Sequence, residues 1–360
     1  MSKISKIVMV GPSLMGRGGI SSVVSVYNEN GFFDKWNISY LESFNGGSFL
    51  DKMYYFLRSL FVFLWLNVSC NITLVHIHTA SRASFWRKSF FALISIFFHR
   101  KFVLHLHGGE FLKFYHEECG SLRQFFVRWV FMHSSAVIVL SNKWKQDIST
   151  IVSKHKLVLI YNPISTIPDT INQKHVQGNQ LLFLGRLGRG KGFFDLLDAM
   201  VLIIAKYPKC VLFAGGDGDL NAAIEYCNRS GISHAVKILG WVSGEAKSEL
   251  LSQSAIYVLP SYHEGFPMGV IEAMAYGLPI IATGVGGIPD AIEHGKEGLM
   301  VEPGDIPALA KTIETLLGDG DLRTSIGEAA RQKVGNCFTF EQIIPSLDIL
   351  YRRLGATPLA

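Results

Sequence analysis

Long apolar runs are the first thing this 360-residue sequence lacks. The longest, "LFVFLWL" (60–66) and "FFALISIFF" (90–98), fall well short of the ~20 residues that a membrane-spanning helix requires. The start, "MSKISKIVMVG", is charged and then strand-like, without the apolar length of a signal peptide. Cysteine is sparse and scattered: Cys70, Cys119, Cys210, Cys227 and Cys337 show no CxxC and no metal-ligand spacing. That excludes a disulfide framework and reads as reduced core thiols in a cytoplasmic protein. Low-complexity tracts and short-period repeats are absent. Acidic residues are scarce at one end only. Residues 1–160 hold 8 Asp/Glu against 18 Lys/Arg, and residues 161–360 hold 21 against 16. The two parts therefore face different partners. Nucleic acid is not the partner expected, since a net charge of +5 is all that favours it.

What is present is a well-filled globular chain. Hydrophobic residues make up 49% and charged residues 18%, and the length suits two domains. In the second half, strands and helices alternate: "QLLFLGRL" (180–187), helix "FFDLLDAMVLIIAKYP" (193–208), "CVLFAGGDG" (210–218), "AVKILGWV" (235–242), helix "SGEAKSELLSQS" with a serine cap, then "AIYVLPS" and "PIIAT". The first half has the same rhythm, with "KIVMVG", "ITLVHIHTA", "KFVLHLHGGEF", "SAVIVLS" and "KLVLIYNPI" as strands. This pattern predicts an α/β fold with parallel sheets covered on both faces, and ligands beyond the carboxyl ends of the strands. The expected division is a first domain over 1–165, a polar linker over 166–179, a second domain over 180–337, and a helical tail over 338–360 that packs back on the first domain.

Two segments carry charge where chemistry would use it. "GRLGRGKG" (185–192) sets Arg186 and Lys191 between a strand and a helix start, whose free N–H groups favour an anion. Together they suit a diphosphate. A surface loop with solvated charges is the alternative. "YHEGFPMGVIEAMAYG" (262–277) places Glu264 before a Gly-Phe-Pro turn and Glu272 in an apolar run. Pro267 suits a first helical turn, Met268 and Gly269 would offer free amides, and Gly269 would let a ligand come close. A carboxylate among apolar residues needs a partner, and the local sequence supplies no Lys or Arg for Glu272. A ligand's vicinal hydroxyls would satisfy it, as would backbone amides.

"HIH" and "HLH" give His76, His78, His105 and His107. Alternate strand residues share a face, which raises a zinc reading. It is the lesser one, because no Cys or paired acid lies nearby to complete the site. "GDGD" (216–219) reads as a glycine turn rather than a metal-binding Asp-x-Asp.

"SYHEGFPMGVIEAMAYGLPIIATGVGGIPDAI" resembles the Glu-x7-Glu region of the family-4 retaining glycosyltransferases. "GRGGISSVV", "HIHTA", "HLHGGEF", "NPI", "GRLGRGKG", "AGGDG", "LGWVS" and "EHGKEGLMVEPGD" resemble further blocks of that family, in its order. The likeness covers nearly the whole chain. Asp290 departs from it, standing where Glu is commoner, and residues 43–70 match poorly.

The resemblance implies the GT-B fold, two Rossmann-like domains with parallel sheets facing across a cleft. It implies that Arg186 and Lys191 hold the diphosphate of a nucleotide-sugar donor, and Glu272 its ribose. Glu264 with Gly265, Phe266, Pro267 and Met268 would hold the sugar, and Trp241 and Val242 the base. Gly18 and Gly19 match the loop over the phosphates, and His107 the histidine beside the reacting carbon. The implied reaction retains anomeric configuration by front-side attack and needs no metal or other cofactor.

A glycan acceptor on a lipid carrier would place the protein at the inner face of the cytoplasmic membrane, held through its basic N-terminal domain. Two segments qualify for that contact. Residues 82–101 read mainly as a core helix, and residues 53–67 are a second candidate. A nucleotide-sugar epimerase on the same fold and a non-catalytic nucleotide-sugar binder are the competing readings.

Overall fold

The structure, a computed structural model, describes residues 6–168 and 178–359. Most of the expected linker lies outside the described residues. The chain divides into two compact units, Met1–Ser165 with Thr339–Ala360, and Thr166–Phe338.

The first unit is built on six parallel strands, β1 (Lys6–Gly11), β2 (Ile38–Glu42), β3 (Ile72–Thr79), β4 (Lys101–Leu106), β5 (Ala136–Val139) and β6 (Leu157–Leu159), in the order β2-β1-β3-β4-β5-β6. Side chains alternate across it. Val75 and Ile77 of β3 point into a core shared with three helices, α2 (Phe49–Ser69), α3 (Ala83–Phe97) and α4 (Ser121–His133). Phe63, Phe91 and Val127 are their buried contributions. His76 and His78 point to the other face, where they meet Tyr27 of α1 (Gly19–Glu29) and Tyr351 of the tail helix. Helix α2 starts at a reciprocal cap: the Ser48 hydroxyl accepts from the Asp51 amide, and the Asp51 carboxylate accepts from the Ser48 amide.

The tail helix, Phe340–Arg353, belongs to this unit. Its Asp348 accepts from Trp36 Nε1 at 2.7 Å, and the Leu354 carbonyl beyond it accepts from Lys101 Nζ at 2.8 Å.

The second unit repeats the architecture with β7 (Gln180–Leu184), β8 (Val211–Gly215), β9 (Val236–Gly240), β10 (Ile256–Leu259), β11 (Ile280–Thr283) and β12 (Gly298–Val301). The order is β12-β11-β10-β7-β8-β9. The chain steps from β7 through β8 to β9 and then returns to the other side of β7 at β10. Sheet order therefore reverses between β7 and β10, where α/β folds of this kind bind ligands. The helices that follow those strands, α5 (Phe193–Lys206) after β7 and α7 (Met268–Ala275) after β10, begin at that point, with α6 (Gly244–Gln253) preceding β10. The helix before β10 follows Ser243, but the serine side chain makes no capping hydrogen bond, contrary to expectation.

Strands β2 and β12 carry no clear sequence signal. Both are sheet edges, half covered; β2 mixes polar with apolar residues, and β12, GLMV, is apolar but only four residues long. The cysteines are all free, yet only Cys119, Cys210 and Cys227 are buried. Cys337 is exposed and Cys70 partly so, which corrects the reading of all five as core thiols.

Candidate functional site

Glycine brings the loops of the second unit together. Gly192, at φ 63°, ends the turn that carries Arg189–Lys191 and caps α5. A Cβ there would lie 1.9 Å from the Pro260 carbonyl oxygen, so only glycine lets the loop after β7 touch the loop after β10. The Tyr262 amide then donates to the Gly190 carbonyl at 3.1 Å. Gly286, in the loop after β11, approaches the backbone of Glu264 as closely. Three loops thus meet at the carboxyl ends of adjacent strands.

Lys191 and Glu264 meet at that junction. Lys191 Nζ lies 2.6 Å from Glu264 Oε1, and the Ser261 hydroxyl donates to the same oxygen at 2.7 Å. Glu264 is 5% exposed and Lys191 32%, so the pair is half sunk in the protein with its cation on the open side. Arg186 is exposed in the same loop, and its side chain makes no ion pair among the described residues. The structure thus brings Arg186, Lys191 and Glu264 into one loop cluster. The cluster differs from two free cations: Lys191 is already paired with Glu264.

Glu272 has a protein partner after all. Lys247 Nζ of α6 lies 2.7 Å from Glu272 Oε1, with 28% and 20% of the side chains exposed. The partner stands 25 residues away on another helix, which is why the local sequence did not offer it. Tyr257, on β10, is buried and donates to the Leu184 carbonyl at 3.0 Å. Burial first, and then the carboxylates of Glu272 and Glu264, push its hydroxyl well above the ordinary tyrosine range.

Gly269 is explained by Tyr257. A Cβ at Gly269 would sit 2.4 Å from the tyrosine oxygen, so packing against the strand by itself requires this glycine. Pro267 is the residue before α7, not within its first turn. Its carbonyl accepts from Val270 and Ile271. The amides of Met268 and Gly269 donate no hydrogen bond among the described residues, so two donors stand free at the helix start. Gly265 and Phe266 are buried in the same turn. Trp241 is 40% exposed after β9, and Val242 packs over Gly215 at the end of β8. In "GDGD", Gly216 at φ 154° and Gly218 at φ 114° form a turn, and the Asp217 carbonyl accepts from the Leu187 amide at 2.6 Å.

In the first unit, Gly18 at φ 130° precedes α1, and a Cβ there would meet nothing, so backbone conformation alone selects glycine. Gly19 is the first residue of α1 and is exposed. His107 is half-buried just past β4. His78 Nδ1 lies 2.8 Å from His107 Nε2, His76 Nε2 lies 3.1 Å from His105 Nδ1, and His76 Nδ1 lies 2.6 Å from the Tyr351 hydroxyl. Burial lowers His76 and His107 to about 3, and His78 and His105 well below the ordinary value; neighbouring imidazoles add to this in all but His107.

His78 Nε2 is buried with no hydrogen-bond partner among the described residues. A bare acceptor there costs less than a stranded N–H. On that ground His78 carries its proton on Nδ1 and donates to His107, which leaves the His107 proton on Nδ1. His107 is thus a neutral donor held in one tautomer.

The nitrogens of His76, His78 and His105 lie within 4.8 Å of one another, as metal ligands would. However, the His76 and His78 rings stack at 4.4 Å with planes 9° apart. Their in-plane lone pairs run side by side and do not converge on a zinc ion at about 2 Å from each.

A family model described as Glycosyl transferases group 1 matches residues 168–333, and one described as Glycosyltransferase Family 4 matches residues 23–167. An uncharacterized glycosyltransferase of Methanocaldococcus jannaschii is 27% identical over 320 residues, 89% of this chain and 84% of that protein. The D-inositol 3-phosphate glycosyltransferase of Corynebacterium urealyticum is 34% identical over 49% of this chain and 43% of its own length. A capsular polysaccharide biosynthesis glycosyltransferase of Staphylococcus aureus is 28% identical over 47% and 44%. The chain thus spans less than half the length of these last two relatives. Among solved structures, sucrose-phosphate synthase from Thermosynechococcus elongatus superposes with a TM-score of 0.81 at 22% identity, over 97% of this chain and 99% of that one. HepE of Anabaena, in complex with UDP-glucose, gives 0.74 at 20% identity over 96% and 99%. With two parallel-sheet units and the two family models end to end along it, the chain belongs to the group 1, family 4 glycosyltransferases and has their GT-B fold.

Proposed function

We propose that the protein is a retaining glycosyltransferase that moves a hexosyl group from a nucleoside-diphosphate sugar to a hydroxyl of a glycan acceptor carried on a lipid. The observation that carries this reading is the Lys191–Glu264–Ser261 cluster, with Arg186 beside it, at the point where sheet order reverses. In the reaction the bond from the anomeric carbon to the diphosphate oxygen breaks, and negative charge grows on the departing diphosphate. Arg186, Lys191 and the free amides at the start of α7 stabilise that charge where it develops. Glu264, fixed by Lys191 and Ser261, faces the sugar. Glu272 takes the ribose hydroxyls, sharing its carboxylate with Lys247, and Trp241 and Val242 take the base. Gly18 and Gly19 close over the phosphates. His107 donates from Nδ1 to the sugar. The acceptor hydroxyl bonds to the anomeric carbon from the face the diphosphate leaves, and its proton passes to a diphosphate oxygen.

The reading assigns no resident metal, because the cationic role falls to Arg186 and Lys191. A role in surface polysaccharide assembly draws support from the capsular relative, and a lipid-linked acceptor would hold the protein at the inner face of the cytoplasmic membrane. A screen of nucleotide sugars by thermal shift identifies the donor, with UDP-sugars first because HepE was solved with one. Transfer to a soluble glycan followed by NMR of the product then gives the anomeric configuration. Conversion of the nucleotide sugar without acceptor, or inversion in the product, would overturn the reading.

A further inference from the structure

Helix α2 is apolar on its inner and on its outer side. Its inner side, with Phe63 and Leu66, lies in the core of the first unit. Its outer side carries Leu50, Tyr54, Leu57, Phe61, Trp65 and Val68, all exposed, at spacings of three and four residues. That spacing makes one stripe along a helix of 21 residues, about 30 Å long. Apolar side chains on two opposite sides of a helix normally call for cover on both.

The stripe does not end with α2. Phe56 of α2 meets Phe90 of α3 at 5.5 Å, and Trp86 of α3 stacks on Phe126 of α4 at 5.9 Å. Phe90 and Phe97 on α3, and Leu122, Phe125 and Met132 on α4, continue the exposed apolar surface. Of 23 exposed large hydrophobic side chains among the described residues, 14 lie on these three helices. A soluble surface of that kind marks an interaction site.

Charge identifies the occupant. Across the three helices stand six Lys and Arg, of which Lys88 is buried against the Gly11 carbonyl and takes no part in the outer face, and one acid, Asp51, which is tied into the cap of α2. Arg58 borders the stripe, and Arg123 and Arg128 stand exposed on α4. Aromatic and aliphatic side chains with basic edges suit the boundary of an anionic bilayer, where rings sit among headgroups and cations meet phosphates. No described helix is long and apolar enough to cross a membrane, so the contact is along the surface.

We propose that the outer face of α2, α3 and α4 is the surface by which this protein docks on a bilayer containing anionic lipid. This deepens the peripheral-membrane part of the proposed function and rests on it. Of the two segments that the sequence offered for such contact, 53–67 supplies the larger share, six of these 14 side chains against two from 82–101. Residues 82–101 serve chiefly as core, with Phe85, Phe91 and Ala92 buried.

The test is co-sedimentation of the full chain with phosphatidylcholine vesicles, with and without phosphatidylglycerol. Wild type is expected to partition onto the anionic vesicles, and less so at high salt. Phe61→Glu with Trp65→Glu should lower that partition at least tenfold, while melting temperature and transfer to a soluble acceptor stay at wild-type values. Brominated lipid should quench part of the fluorescence in wild type and less of it in Trp65→Phe, a readout that needs no disruptive variant. Three results overturn the proposal: no partition of wild type, undiminished partition of the double variant, or a wild-type dimer in solution that the double variant dissociates without any vesicle binding. A protein that binds vesicles but turns over no nucleotide sugar would instead count against the enzyme reading alone.

Discussion

At Lys191 two roles share one amine. It pairs with a carboxylate that is 5% exposed, and the proposed reaction asks it to meet a diphosphate as well. Lys191→Ala therefore removes a stabiliser of the leaving group and strands Glu264. Turnover is expected to fall about a hundredfold or more, and the melting temperature should fall with it. Arg186→Ala should cost a similar factor in turnover with an unchanged melting temperature, since its side chain is exposed and makes no ion pair among the described residues. Single-turnover kinetics and thermal melts on both variants separate the two effects. The histidines give a second residue-scale expectation. His76 and His107 stay neutral in the folded protein down to about 3, while in the unfolded chain they take up protons near 6.5. Between those values the unfolded state binds more protons, so stability falls as pH drops from 6.5 toward 3 and is flat on this account above 6.5. Chemical denaturation across that range should show the slope, and His76→Gln should reduce it by the share of one of the four histidines. Some residue-scale facts were legible in the sequence and some were not. Arg186, Lys191 and Glu264 were, because strand-loop-helix punctuation marks the loops that hold them. Lys247 was not, since nothing in a helix of mixed polarity says which of its residues will face Glu272.

Elements here are set by glycine contacts as much as by periodicity. Gly192 lets α5 begin against the Pro260 carbonyl, so Gly192→Ala forces the loop after β7 away from the loop after β10. The Lys191–Glu264 pair spans that seam. The variant is expected to lose most turnover and several degrees of melting temperature, and a hydrogen-exchange experiment should show faster exchange at Tyr262, whose amide bonds to Gly190. Gly231→Ala is a suitable control, because its Cβ meets nothing within 4 Å, although its φ of 69° still carries a local strain. The sequence revealed the buried strands of both sheets, since central parallel strands read as unbroken apolar runs. Edge strand β2 was silent for the converse reason, since half-covered it needs no such run, and β12 is apolar but too short, at four residues, to stand out. Gly269 has a reason that the sequence did not show. Its partner, Tyr257, lies on the preceding strand, and sequence spacing does not reveal which side chain lies beneath a helix start.

Over the whole chain, charge is divided by unit. The first unit holds 20 Lys/Arg and 10 Asp/Glu, the second 14 and 19. The unit proposed to bind an anionic diphosphate is therefore net negative. Long-range attraction is not what brings the donor in; the cations of one loop and the amides of one helix start act at contact distance. Screening shortens from about 10 Å at 0.1 M salt to about 3 Å at 1 M. Contacts inside that range lose little, while the far-field repulsion of the second unit is screened away. Donor KM is thus expected to change by no more than about twofold between about 0.05 and 0.3 M salt, a range over which screening acts chiefly on exposed, distant charges. Vesicle partition, resting on exposed Arg58, Arg123 and Arg128 of the basic unit, should fall steeply over the same range. Measuring both on one preparation sets the two surfaces apart. A donor KM that rises with salt as steeply as vesicle binding weakens would place the diphosphate on the diffuse positive field of the first unit rather than on Arg186 and Lys191.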